Sequence, residues 1–133
     1  MYESRNSIYC YDNSDILINK LNIKDKDLLD KIERDIVSTK LLDEGIHKIL
    51  DIQKLHKILF EDIYYFAGEY RRENIAKDSF KFAEYEYIEE NINRLIKELK
   101  NENYLKNLDK SSLSKRLAYY MSEFNVLHPF RER

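Results

Sequence analysis

The chain is expected to fold as an all-α helical bundle of about five helices carrying one short β-hairpin. Leu, Ile, Lys and Glu dominate the composition, residues that favour helix. The 133 residues include 2 Gly and 1 Pro, too little turn chemistry for a many-stranded sheet. Apolar residues recur at three- and four-residue spacing along most of the chain. In one place alone, Phe80-Lys81-Phe82, does the pattern switch to the two-residue period of a strand.

Taken in order, residues 2–13 are polar and tyrosine-rich and read as an arm lying on the domain. Ser14 or Asp15 could cap a short helix through Ile16, Leu17 and Leu21. Asp25 or Asp27 opens a longer helix whose stripe is Leu28, Leu29, Ile32, Ile36, Val37 and Leu41, with Gly45 as its stop. A helix over residues 51–66 follows, with Ile52, Leu55, Ile58, Leu59 and Ile63 on one face. His56 lies within it and His47 before it. Neither has a His partner at i, i+4, so both read as surface or packed helix histidines rather than zinc ligands.

Ala67-Gly68 breaks that helix. A polar turn, Lys77-Asp78-Ser79, then separates Ile75 from Phe80 and Phe82, the pattern of a short hairpin. Residues 84–101 return to helix on Ile88, Ile92, Leu95, Ile96 and Leu99. Asp109 or Ser111 caps the last helix, whose stripe is Leu113, Leu117, Tyr120 or Met121, Phe124 and Leu127. Pro129 ends it, because the residue before a proline is driven out of helix, and His128 therefore starts a loop.

The length fits one domain with a single core. Residues are 43% hydrophobic and 36% charged, which excludes a disordered chain. The formal charge of −2 gives no strong pull toward nucleic acid or an anionic membrane. The N-terminus has no apolar leader, and no stretch approaches the ~20 apolar residues of a membrane span. The single cysteine, Cys10, permits no internal disulfide and fits a reducing, cytoplasmic setting.

The chemistry-bearing stretch is the last one. A histidine at the mouth of a helix, followed by proline and then by Glu132, has the makings of a general base beside a metal-binding carboxylate. In full, Leu127-His128-Pro129-Phe130-Arg131-Glu132 resembles the start of the Fic-domain signature, H-P-F-x-[D/E]-G-N-G-R-x-x-R. Upstream, Ala67-Gly68-x-x-Arg71 followed by Ile75-x-Lys77 and Phe80 is similar to the family's flap hairpin. Tyr9-Cys10-Tyr11 is similar to the start of many bacterial Fic proteins. These segments occur in the family's order and at its separation, and the resemblance covers nearly the whole chain.

The resemblance implies a Fic-like helical bundle and a protein adenylyltransferase, which moves AMP from ATP to a Ser, Thr or Tyr hydroxyl of a target protein. It implies His128 as the base that takes the hydroxyl proton, a role suited to an imidazole that titrates near neutrality. It implies Glu132 as the ligand of Mg2+, with ATP as substrate. Pro129 and Phe130 are implied as structural members of the motif. Lys77 and Asp78 match positions near the nucleotide, and Ile75, Lys77 and Phe80 match the flap that aligns an extended target segment. The chain ends at Arg133, where the family continues with Gly-Asn-Gly-Arg and further helices. Residues 1–133 are accordingly read as a single Fic-like domain lacking its C-terminal helices, weak or inactive as written.

The family's inhibitory pattern, [S/T]-x-x-x-E-[G/N], has one near match, Ser38-Thr39 before Asp43-Glu44-Gly45. The position four before Glu44 is Lys40, so an inhibitory helix or antitoxin is expected outside this chain. Self-modification on tyrosine remains open. Two other functions stay in play: a Fic-type phosphotransferase toxin, and a non-catalytic helical interaction module binding a partner through the hairpin edge.

Overall fold

Aspartates open three of the four α-helices in the computed structural model, which describes residues 7–49 and 51–131. Asp25 caps α1 (Lys26–Lys40), accepting from the N–H groups of Asp27 and Leu28. Asp51 caps α2 (Ile52–Phe60) through Gln53 and Lys54. Asp109 caps α4 (Lys110–Leu127) through Ser112. A carboxylate there pairs N–H groups that the helix leaves open and meets the positive end of its dipole. The remaining helix, α3 (Ile88–Asn101), grows out of a 3-10 turn at Tyr85–Tyr87. Between α2 and α3 stands the hairpin, β1 (Ala76–Lys77) antiparallel to β2 (Phe80–Lys81), with Ala76 opposite Lys81 and Lys77 opposite Phe80. The architecture is thus the expected helical one with a single small antiparallel sheet.

Among the described residues the chain divides into two compact units, one of residues 7–69 with 130 and 131, the other of residues 70–129. The first unit holds α1 and α2. Its core is Cys10, Leu17, Leu29, Ile63, Tyr64 and Phe66, with Tyr9, Ile23, Ile36 and Phe60 packed against it.

The expected short helix through Ile16, Leu17 and Leu21 does not form. Leu17 instead bridges Cys10 in antiparallel fashion, and Ile18 N–H donates to Tyr9 O at 2.8 Å. The reason is Asn19, which is 1% exposed. Its amide donates to Leu17 O and Ile23 O at 2.9 and 2.8 Å, and its oxygen accepts from Ile23 N–H at 2.9 Å. A side chain that supplies three main-chain bonds offers the backbone an alternative to helix. The Ser14 hydroxyl accepts from Ile16 N–H, but in a turn rather than a helix cap.

Two helix ends also differ from expectation. α1 stops at Lys40 with Leu41 as its cap, while Gly45 falls inside a 3-10 turn, Glu44–Lys48. α2 stops at Phe60 rather than continuing to residue 66. Turns over 61–68 follow, and Gly68 reverses the chain at φ +83.

In the second unit α3 buries Ile88, Ile92 and Leu95. Its C-terminal end is tied to α4 by polar bonds. Glu102 accepts from Arg116 Nε at 2.7 Å and Nη2 at 3.0 Å and from the Tyr120 hydroxyl, and Glu98 accepts from the Tyr119 hydroxyl at 2.8 Å. Desolvation and the Glu102 bond together push the Tyr120 hydroxyl up to about 12. The apolar stripe expected to bury α4 is only partly used. Leu127 is buried, whereas Leu117, Met121 and Phe124 are exposed. Among the described residues no helix is long and apolar enough to cross a membrane.

Candidate active site

The last turn of α4 delivers His128 to the second unit. His128 N–H still donates to Phe124 O at 2.9 Å, as a helical residue would. Its own backbone then flips to the left-handed region, φ 41 and ψ 67. For a residue with a Cβ that conformation costs on the order of 1–2 kcal/mol, so the surroundings must hold it. Pro129 contributes by disfavouring helix at the residue before it.

The segment leading into and out of the hairpin does the rest. A helix leaves its last carbonyls unpaired, and here Val126 O accepts from Ala83 N–H at 2.9 Å while Pro129 O accepts from Arg71 N–H at 2.9 Å. Between them, the Arg71 guanidinium donates to Leu127 O at 2.9 Å and His128 O at 2.7 Å. The ring of His128 lies 4.7 Å from that of Phe82, tilted by 34°. Phe82 meets Phe80 edge to face at 5.1 Å. The hairpin's aromatic side therefore runs continuously from the half-exposed Phe80 to the imidazole, whose Nε2 is shielded from solvent.

The other residues singled out by sequence are distributed as follows. Lys77 and Asp78 stand exposed at the hairpin turn, Asp78 with φ 55. Ile75 is 3% exposed, so its side chain belongs to the core, and its carbonyl accepts from Phe82 N–H at 3.2 Å. Pro129 is buried. Phe130, 5% exposed, belongs to the first unit, where it stacks on His56 at 4.0 Å and 12°. Burial lowers the His56 imidazole to about 4, and Gly68 N–H donates to its Nδ1 at 2.9 Å. Glu132 lies outside the described residues. Among those described, no group of three or more His, Cys, Asp and Glu converges on a point where a metal could bind.

Arg71 enters the sequence only as a member of the flap-like pattern, without a role, because the carbonyls it serves are 56 and 57 residues away.

Comparison with known proteins gives a consistent picture. The Fic/DOC family model matches residues 47–132. The protein adenylyltransferase VbhT of Bartonella schoenbuchensis is 38% identical over 98% of this chain, which spans 29% of that protein. The probable protein adenylyltransferase Fic of Escherichia coli is 33% identical over 92% of this chain, which spans 64% of it. In both cases the chain covers less than two thirds of the relative's length. Among solved structures, the N-terminal FIC domain of the Bep8 protein from Bartonella sp. 1-1C superposes with a TM-score of 0.84 at 19% identity, covering 93% of this chain and 67% of that one.

Proposed function

The chain belongs to the Fic/DOC family, and from that premise we propose that residues 1–133 form part of a single Fic domain of a protein adenylyltransferase, with His128 as its general base. The observation that carries this reading is the placement of His128. It is presented by a left-handed helix cap, with its ring packed beside the hairpin through Phe82. The names of the two relatives above support the reaction class.

In the reaction proposed, a target Ser, Thr or Tyr hydroxyl gives its proton to the His128 imidazole. The hydroxyl oxygen forms a bond to the α-phosphorus of ATP, and the bond from that phosphorus to the pyrophosphate oxygen breaks. A base of this kind is worth ~10²–10⁴ in rate. The hairpin aligns the target. A two-stranded sheet offers each strand's outer edge to an extended peptide, whose main chain can pair with it irrespective of most side chains. Phe80 contributes exposed aromatic surface beside that edge, and Ile75 anchors the hairpin from the core. Lys77 and Asp78, exposed at the turn, are assigned to the nucleotide's vicinity.

Magnesium is assigned to the reaction as an ion carried largely by the substrate. One or two carboxylates suffice when phosphates and water complete the shell, and Glu132 is the carboxylate assigned to it. When bound, the ion would offset charge on the phosphates. Phe130 is assigned a structural role, holding the motif through its stack on His56. The lone cysteine favours a cytoplasmic setting, and an inhibitory helix or antitoxin would lie outside these residues.

The test uses ATP labelled at either the α- or the γ-phosphate, with the 133-residue chain and with the same chain extended through Gly-Asn-Gly-Arg and its following helices. Each is incubated with bacterial lysate, beside a His128→Ala counterpart. Transfer of α-label that falls at least ~100-fold in His128→Ala supports adenylyl transfer. Transfer of γ-label alone replaces it with phosphoryl transfer. No label dependent on His128 in either chain refutes the enzyme reading and leaves the interaction module.

A further inference from the structure

The flap arginine does more than occupy a loop. Arg71 is 2% exposed, and its guanidinium spreads over four carbonyls from three segments. Nε donates to His128 O at 2.7 Å, Nη1 to Glu73 O at 2.8 Å, and Nη2 to both Leu127 O, at 2.9 Å, and Ala83 O. Its main-chain N–H adds Pro129 O. These acceptors are the end of α4, the loop entering the hairpin and the chain leaving it.

We infer that Arg71 is the positioning residue for His128, acting as a detached C-cap for α4 that holds the left-handed histidine and the hairpin in one register. Three features carry this. The carbonyl bonded to Nε is that of His128 itself, so the bond acts directly on the ψ that places the imidazole. The carbonyl of Ala83 adjoins Phe82, the ring against His128, so one guanidinium fixes both partners of that aromatic contact. A cation at the C-terminus of an 18-residue helix also lies at the negative end of its dipole. The geometry needs a planar fork with several fixed donors. A lysine ammonium, a point charge on a flexible stem, cannot reach acceptors on three sides at once.

The catalytic consequence rests on His128 being the base, as proposed above; the positional claim does not. The experiment is NMR on the isotopically labelled 133-residue chain, comparing Arg71→Lys and Arg71→Gln with the unsubstituted protein. The α1 amides serve as a control for folding. In the variants, the His128 Cα and Cβ shifts are expected to leave their left-handed values, the nuclear Overhauser contacts between the His128 and Phe82 rings to weaken, and the imidazole titration curve to move. The α1 amides are expected to stay in place.

In a chain competent for transfer, Arg71→Lys should lower kcat by about 10²-fold, the scale of a misplaced catalytic group, with a change in KM for ATP of less than roughly threefold. Unaltered His128 shifts and titration in a folded Arg71→Lys would overturn the inference. If both variants unfold, the unsubstituted chain decides. A scalar coupling across the hydrogen bond from Arg71 Nε to the His128 carbonyl supports it, and absence of that coupling overturns it. Should His128→Ala leave transfer intact, the base assignment fails while the shifts still judge Arg71.

Discussion

The histidine buried in α2 makes the stability of this fold depend on pH in a way that can be worked out from its contacts. His56 is 6% exposed, stacks on Phe130 at 4.0 Å, and accepts the Gly68 N–H at Nδ1. That bond puts the single ring proton on Nε2. Adding a second proton would set an N–H against the N–H of Gly68 and bury a charge, and burial lowers the imidazole from 6.5 to about 4. The unfolded chain then binds more protons than the folded one between these values. Stability contributed by the neutral ring is complete above about pH 6.5 and is lost progressively as pH falls toward about 4. At 1.36 kcal/mol per pKa unit the loss amounts to roughly 3 kcal/mol.

The perturbation is His56→Asn, whose side-chain oxygen can reach the Nδ1 position and accept the Gly68 N–H but cannot titrate. Urea unfolding at a series of pH values from 7.5 down to 4 should then show two effects. The variant loses roughly 0.5–1.5 kcal/mol at every pH from the missing ring stack. Its stability also falls less steeply than that of the parent, so the two curves converge or cross toward pH 4. Taking the difference between them removes the titration of other groups, among them Glu33, whose carboxyl burial raises. Parallel curves, or an NMR titration of His56 centred at 6 or above, would refute the reasoning.

Two further substitutions test the first unit by urea unfolding. Gly68→Ala places a Cβ 2.8 Å from Lys57 Cβ and 3.0 Å from Gln53 O on a backbone at φ +83. It should cost roughly 2–4 kcal/mol, and a loss under ~1 kcal/mol would mean that the turn at residue 68 relaxes freely. Asn19→Ala strips Leu17 O, Ile23 O and Ile23 N–H of their side-chain partner in a buried setting. It should also cost roughly 2–4 kcal/mol, with Leu17 and Ile23 amides exchanging faster than those of α1. Unchanged exchange at those amides would remove Asn19 as the organiser of the segment.

Much of this molecule was legible in its residues because the signals are short-range. Helical spacing marked α1, α2, α3 and α4, and Asp25 or Asp27 and Asp109 or Ser111 marked where two of them begin, since a cap reads only the N–H groups two or three residues ahead; the Asp51 cap of α2 came from the structure. The alternation at Phe80-Lys81-Phe82 marked the hairpin in the same way. Lys77 and Asp78 were singled out by resemblance and stand exposed at the hairpin turn, while Glu132 lies outside the described residues.

What only the tertiary structure decided are contacts between residues far apart in the chain. Nothing near residue 19 announces that its amide would replace a helix turn with three side-chain bonds, because that choice depends on Leu17 being drawn into a core with Ile63 and Phe66. Nothing near residue 71 announces a C-cap for a helix that ends at Leu127. A bond across 57 residues leaves no periodic trace in the sequence, and its acceptors are main-chain carbonyls, which every residue possesses. Sequence thus supplied the identity of the histidine and the elements on either side of it. Its left-handed backbone, and the arginine that holds it there, came from folding.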